Sequence, residues 1–103
     1  MRLRKLKVGE IRTHLNELKG WRITGKRVKK LVKRFSYEGF MPGVELINEI
    51  AKVAEEMNHH PDVYLSYGSI RFVLTTHDIG GLSTNDVELA KKIDAIVAST
   101  LKP

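Results

Sequence analysis

Apolar side chains are spaced along this chain in two rhythms, one of three to four residues and one of two. The switches between them mark seven segments. Ile11, Leu15 and Leu18 predict a short amphipathic helix that stops near Gly20. Residues 21–24 and 28–35 predict two strands joined at a Gly25-Lys26 turn. In the second of these Leu31, Phe35 and Tyr37 fall on one face, while Lys30 and Arg34 project from the other with Val28 and Val32 between them. Residues 40–58 predict the longest helix, and it carries two apolar stripes. One runs through Phe40, Val44, Ile47, Ala51 and Ala54, the other through Leu46, Ile50, Val53 and Met57. Together they cover about half the helix circumference, whereas packing on one sheet needs an arc nearer ~100°. The surplus predicts a second apolar partner, most economically another subunit.

Pro61 blocks continuation of that helix. Two further strands are predicted at residues 63–67 and 70–76 around a Gly68-Ser69 turn. Ile70, Phe72 and Leu74 point one way; Arg71, Val73 and Thr75 point the other, with His77 continuing the second parity. After Gly80-Gly81, a last helix carries Val87, Ala90, Ile93, Val97 and Leu101, with Ser83 and Asp86 spaced as its cap and N3 acid. The order α-β-β-α-β-β-α predicts an α+β sandwich, with one four-stranded antiparallel sheet and the helices packed on one face. A single domain over residues 1–103 is expected, opened by a basic segment at residues 1–8.

Composition narrows the chemistry. The chain has no cysteine, which excludes disulfides, thiolate nucleophiles and Cys-based metal sites. No apolar run approaches the ~18 residues of a spanning helix, so no membrane role is expected. The basic N-terminus lacks the apolar stretch of a signal peptide, and a cytoplasmic address is expected. Net charge is +6, unevenly placed: residues 1–34 carry 13 Lys/Arg against Glu10 and Glu17, and the remainder is net acidic. Such a basic third suits either a solvated face or a nucleic-acid surface. Without interleaved aromatics or a helix-turn-helix pattern, nucleic acid is not the expected partner.

Three histidines stand at the ends of elements, where functional side chains gather. His59 and His60 close the long helix before Pro61, and His77 follows the last strand, before Asp78 and the double glycine. His14 lies on an ordinary polar helix face and receives no role. Imidazole titrates near ~6.5, so one ring can donate a proton while another accepts one. Glu55, four residues before His59 on the same helix face, is placed to orient or charge that ring. A zinc site on His59, His60 and His77 is the competing reading. It lacks the i, i+4 spacing of metal-binding helices, so no metal is expected. Neither a nucleophile elbow nor a phosphate loop is present.

The runs Ala54-Glu55-Glu56-Met57-Asn58-His59-His60-Pro61-Asp62 and Leu74-Thr75-Thr76-His77-Asp78-Ile79-Gly80-Gly81-Leu82-Ser83 resemble the pterin-4a-carbinolamine dehydratase family. Gly20-Trp21, Phe35-x-Tyr37 and Leu89-Ala90-x-x-Ile93-Asp94 extend the resemblance over roughly residues 9–98. The resemblance implies the same sandwich, assembled as a homodimer or homotetramer. It also implies dehydration of 4a-hydroxytetrahydropterin to quinonoid dihydropterin in tetrahydrobiopterin-type recycling, without metal or organic cofactor. By position, His59, His60 and His77 become the catalytic set, with His59 and His77 as the acid/base pair and His60 positioning the pterin. Glu55, Pro61, Asp78 and Asp86 become substrate-binding or orienting residues. Two departures stand out: Asn58 where some members have Asp, and Val63 where some have Trp. Some members also partner a transcription factor, so a dimerisation or binding module is the alternative function.

Overall fold

The two hairpins form one sheet because the inner strand of each pairs with the inner strand of the other. The computed structural model describes residues 3–101. In order, the elements are α1 (Val8–Leu15), β1 (Arg22–Thr24), β2 (Lys30–Ser36), α2 (Met41–Met57), β3 (Asp62–Ser66), β4 (Ser69–Leu74), a 3-10 turn (His77–Ile79) and α3 (Thr84–Thr100). All pairings are antiparallel and the sheet order is β1-β2-β4-β3, so β4 joins the hairpins through its pairing with β2.

Alternation sorts the faces as the sequence predicts. Ile23, Leu31, Phe35, Val63, Leu65, Ile70, Phe72 and Leu74 join one apolar core with Ile11, Leu46, Ile50, Leu89 and Ile93 of the helices. The helices therefore cover one face, and the sheet is an open α+β sandwich. The other face carries Arg22, Lys30, Arg34 and Arg71, which accounts for part of the basic first third as a solvated surface. Arg34 lies directly opposite Arg71, a repulsive placement. Two contacts relieve it. The Arg71 guanidinium stacks 4.3 Å above Tyr64, and Arg34 donates to Ser69 Oγ at 3.1 Å.

The two stripes of α2 are used unequally. Gly43, Leu46, Ile50 and Ala54 are buried, with Val53 and Met57 partly so, while Phe40, Met41 and Ala51 are exposed. Gly43 is needed for this fit. A Cβ there would stand 2.1 Å from Tyr37 Oη and 2.4 Å from Leu65 Cδ1. At the other edge Asp94 of α3 accepts from Trp21 Nε1 at 3.1 Å and from Lys33 Nζ at 2.8 Å, pinning the helix to the first hairpin.

Three boundaries differ from expectation. The first hairpin closes through residues 25–29 and not a two-residue turn, because Gly25 (φ +93°) curls until Val28 O would meet any Cβ at 2.0 Å. The second turns at Tyr67-Gly68, where Gly68 supplies φ +79°. And β4 ends at Leu74, so Thr75 and Thr76 are both buried and the parity that would have carried His77 outward with Arg71 is broken. Thr76 instead bridges Gly81, and His77 opens a 3-10 turn.

Candidate active site

Where α2 stops determines which way each histidine turns. Asn58 takes the left-handed conformation (φ +49°, ψ +42°), which Asn tolerates better than most residues. The amides of Asn58 and His59 then fold back onto the carbonyls of Glu55 and Ala54, at 3.1 and 3.0 Å. The helical screw is lost before His59, so the i, i+4 pairing expected between Glu55 and His59 does not form. Glu55 instead hydrogen-bonds His60 at the surface, while His59 turns inward.

His59 Nε2 meets Asp86 Oδ1 at 2.6 Å, and Asp86 is fully buried. The second carboxylate oxygen accepts from Thr76 Oγ1 at 2.7 Å and from the Ser83 amide at 2.9 Å. Ser83 Oγ lies 2.7 Å from Thr76 Oγ1 and accepts from the Asn85 amide. Proton counting orders the chain. Thr76 spends its one hydroxyl proton on Asp86, so Ser83 donates to Thr76. With Asp86 as a carboxylate, Oδ1 accepts from His59, so Nε2 carries the proton in that bond and Nδ1 is the ring nitrogen outside the network. This network joins the end of α2, the exit of β4 and the start of α3.

His77 follows Thr76 directly and is exposed, its carbonyl held by the Gly80 amide at 3.1 Å. Asp78 is exposed and makes no side-chain hydrogen bond among the described residues. Pro61 and His60 edge an apolar cleft of about 350 Å³ walled by Ile47, Ile50, Ala51, Ala54 and Val63, with Glu55 at its polar end. A Trp at position 63 would fill part of it. Among the described residues, no three of His, Cys, Asp and Glu converge as a metal-binding group. The structure thus links His59, Asp86 and, one residue on, His77. It sets the Glu55–His60 pair apart at the rim. Thr76 and Ser83 were not expected in the network. The buried Thr75-Thr76 pair reads as strand in the sequence, and Ser83 as an ordinary cap.

All of these residues fall within 4–96, the span matched by the family model described as Pterin 4 alpha carbinolamine dehydratase. The chain belongs to this family. A relative from Sulfurisphaera tokodaii, provisionally named pterin-4-alpha-carbinolamine dehydratase, is 43% identical over 95 residues, covering 92% of this chain and 99% of its own. One of the same provisional name from Aquifex aeolicus is 36% identical over 100 residues, covering 97% and 98%. Among solved structures, a transcriptional coactivator/pterin dehydratase from Brucella melitensis superposes with a TM-score of 0.84 at 27% identity, over 89% of this chain and 97% of that one. A pterin dehydratase-like RuBisCO assembly factor of the alpha-carboxysome shares the fold at TM-score 0.63, over 75% and 88%. The family supports a pterin carbinolamine dehydratase. No helix among the described residues is long and apolar enough to cross a membrane.

Proposed function

We propose that this chain dehydrates 4a-hydroxytetrahydropterin to quinonoid dihydropterin by histidine acid–base catalysis, as a step of tetrahydrobiopterin-type recycling in the cytoplasm. The observation that supports it is the anchored imidazole. His59 is held by a buried carboxylate at 2.6 Å, with one ring nitrogen left over and His77 one residue from the same network. The reaction balances on protons alone. The C4a–O bond breaks as a protonated imidazole delivers a proton to the departing hydroxyl, which leaves as water. The second imidazole takes the N5 proton, and the N5 electron pair closes the C4a=N5 double bond. His59 and His77 are assigned this pair. His60, steadied by Glu55 beside the apolar cleft, positions the flat ring, with Pro61 as part of the wall; Asp78, exposed in the turn that His77 opens, is assigned to substrate orientation.

A stopped-flow assay of 4a-carbinolamine loss tests the reading. His59→Ala and His77→Ala are expected to fold normally and to lose more than about tenfold in rate, since acid–base groups contribute ~10²–10⁴-fold. Rates within about threefold of wild type for both would overturn the assignment. His14→Ala is the control and leaves the rate unchanged.

The exposed Phe40, Met41 and Ala51 on α2, with half-buried Val44 beside them, support a homo-oligomer built on that stripe. Light scattering is expected to give a mass of at least two chains; 11.7 kDa would overturn this. The same stripe would serve a protein-binding module, the role suggested by the coactivator name of the Brucella structure. Failure of wild-type protein to accelerate the dehydration would favour that reading.

A further inference from the structure

Four cations distant in sequence converge on the loop that follows His77. Lys5 and Lys7 of the N-terminal segment and Arg27 and Lys29 of the β1–β2 loop line a cleft of about 440 Å³ against the Gly80-Gly81 backbone. Both basic segments are tied to that loop. On one side the Leu6 amide donates to Leu82 O at 2.7 Å, and the Lys5 methylenes lie so close to Gly81 that a Cβ there would come within 2.8 Å. On the other, Thr75 Oγ1 lies between two carbonyl oxygens, donating to Lys29 O at 2.9 Å with Gly81 O at 3.3 Å. The cations are therefore gathered by backbone anchors on both sides of Gly81, and their mutual repulsion is accepted in the fold.

Among the described residues, no carboxylate lines the cleft. Of the nearby acids, Glu10 is engaged by Arg4 and by the Lys7 amide, and Asp78 lies exposed in the turn before Gly80. Among the described residues, Lys29 Nζ forms one side-chain hydrogen bond, to the Gly25 carbonyl at 3.0 Å, and no ion pair. Unmatched like charges in a walled cleft focus a positive potential and attract an anion. The bonded Gly80 amide and His77 carbonyl set the distance from the candidate catalytic site. One 3-10 turn, roughly 6 Å of chain, separates His77 from the cleft wall.

We propose that this cleft is a subsite for an anionic group on the side chain of the pterin, a phosphate ester or a carboxylate. The proposal rests on the dehydratase reading and adds the substrate class to it. With the ring at the histidines, a side chain directed along the Gly80-Gly81 loop brings its terminal anion among Lys5, Lys7, Arg27 and Lys29. Arg27 offers a planar fork to two anionic oxygens, and the lysines add point charges.

The test compares three 4a-carbinolamines differing only in the side chain: a neutral hydroxyalkyl group, its phosphate monoester and a glutamyl carboxylate. The wild type is expected to show kcat/KM about tenfold or more higher for an anionic form than for the neutral one, carried by KM. Which anion gains more separates phosphate from carboxylate. Arg27→Ala and, more strongly, Arg27→Glu are expected to shrink that ratio, as is ~0.5 M salt. Arg34→Ala, on the open sheet face, leaves it in place. Turnover of the neutral substrate with a ratio near one overturns the subsite and spares the dehydratase. Turnover of none of the three overturns the dehydratase reading. The subsite is then judged by titrating the wild type with the neutral and phosphorylated 7,8-dihydropterins, and equal affinities overturn it. Binding of a single-stranded oligonucleotide lost in Arg27→Glu, with no preference among the pterins, would make the cleft a nucleic-acid contact and also overturn the proposal.

Discussion

Helices α1 and α3 begin alike and end up in different trades. Each places a carboxylate at its third position that accepts the amide of the N-cap residue, Glu10 from Lys7 and Asp86 from Ser83, both at 2.9 Å. Glu10 sits at the surface, where the Arg4 guanidinium and then the Lys7 amide hold its carboxyl down to about 2. Asp86 is fully buried, and its remaining capacity goes to Thr76 and His59. The local motif is the same because helix geometry aims an N3 side chain back at the N-cap. What differs is the element lying opposite. An exposed arginine across from Glu10 leaves it a surface cap, whereas the exits of β4 and α2 across from Asp86 make a polar junction that fixes an imidazole.

Breaking the buried box carries the largest expected effect. Asp86→Ala strips the carboxylate from His59, Thr76 and the Ser83 amide at once, and losing one partner of a buried polar pair typically costs ~3–5 kcal/mol. Urea unfolding reads this directly, and a loss below about 1 kcal/mol would show the network to be dispensable. Asp86→Asn is the sharper probe because it keeps the volume. Its amide can still accept from Thr76 and Ser83 but turns a donor toward His59, forcing the proton onto the other ring nitrogen. The rate of carbinolamine dehydration is expected to fall more than about tenfold in a folded protein, chiefly in kcat. Retained activity would detach Asp86 from the chemistry.

Ser83→Ala acts more weakly. It removes the acceptor for the Asn85 amide at 3.2 Å and the hydroxyl that donates to Thr76, but leaves the Asp86–His59 bond. A lost N-cap costs ~1 kcal/mol. Stability should therefore drop by about that much, while the rate changes by less than about threefold. A rate loss as large as that of Asp86→Asn would place Ser83 in the proton path itself.

Legibility from sequence followed the same division between local and long-range causes. The seven elements, the core-facing Ile70, Phe72 and Leu74, and the Ser83–Asp86 cap all follow from periodicity and short-range capping, and they stand in the structure. The partner of Glu55 did not, because the i, i+4 rule assumes an unbroken helix and Asn58 ends it one residue too soon. Thr76 was hidden for a related reason. Strand alternation places it on the core face only as one of a pair, and the early end of β4 buries both threonines. The second role of Asp86 depends on His59, 27 positions away, and Thr76, 10 away, beyond any local pattern. The meeting of Lys5 and Lys7 with Arg27 and Lys29 escaped for that reason as well: the count of charges is legible, their convergence is not.

The smallest expected effect comes from the exposed box and is a matter of pH. Glu10 has its carboxyl lowered from 4.5 to about 2 by Arg4 first and by the Lys7 amide second. A pKa lower in the folded than in the unfolded chain means that the unfolded chain binds the proton more readily. The contribution of Glu10 is therefore present in full above about 4.5, and is lost as pH falls from there toward 2. Glu17, lowered through its 2.6 Å contact with Lys91, adds to the same acid limb. Thermal melts of Glu10→Gln and wild type are expected to differ modestly at neutral pH and to converge as pH falls from about 4.5 to about 2, the difference shrinking at ~0.5 M salt because the pair is open to solvent. Parallel melting curves across that window would remove Glu10 from the acid response. Dehydration at neutral pH should match wild type in this variant, for here the cap does nothing but cap.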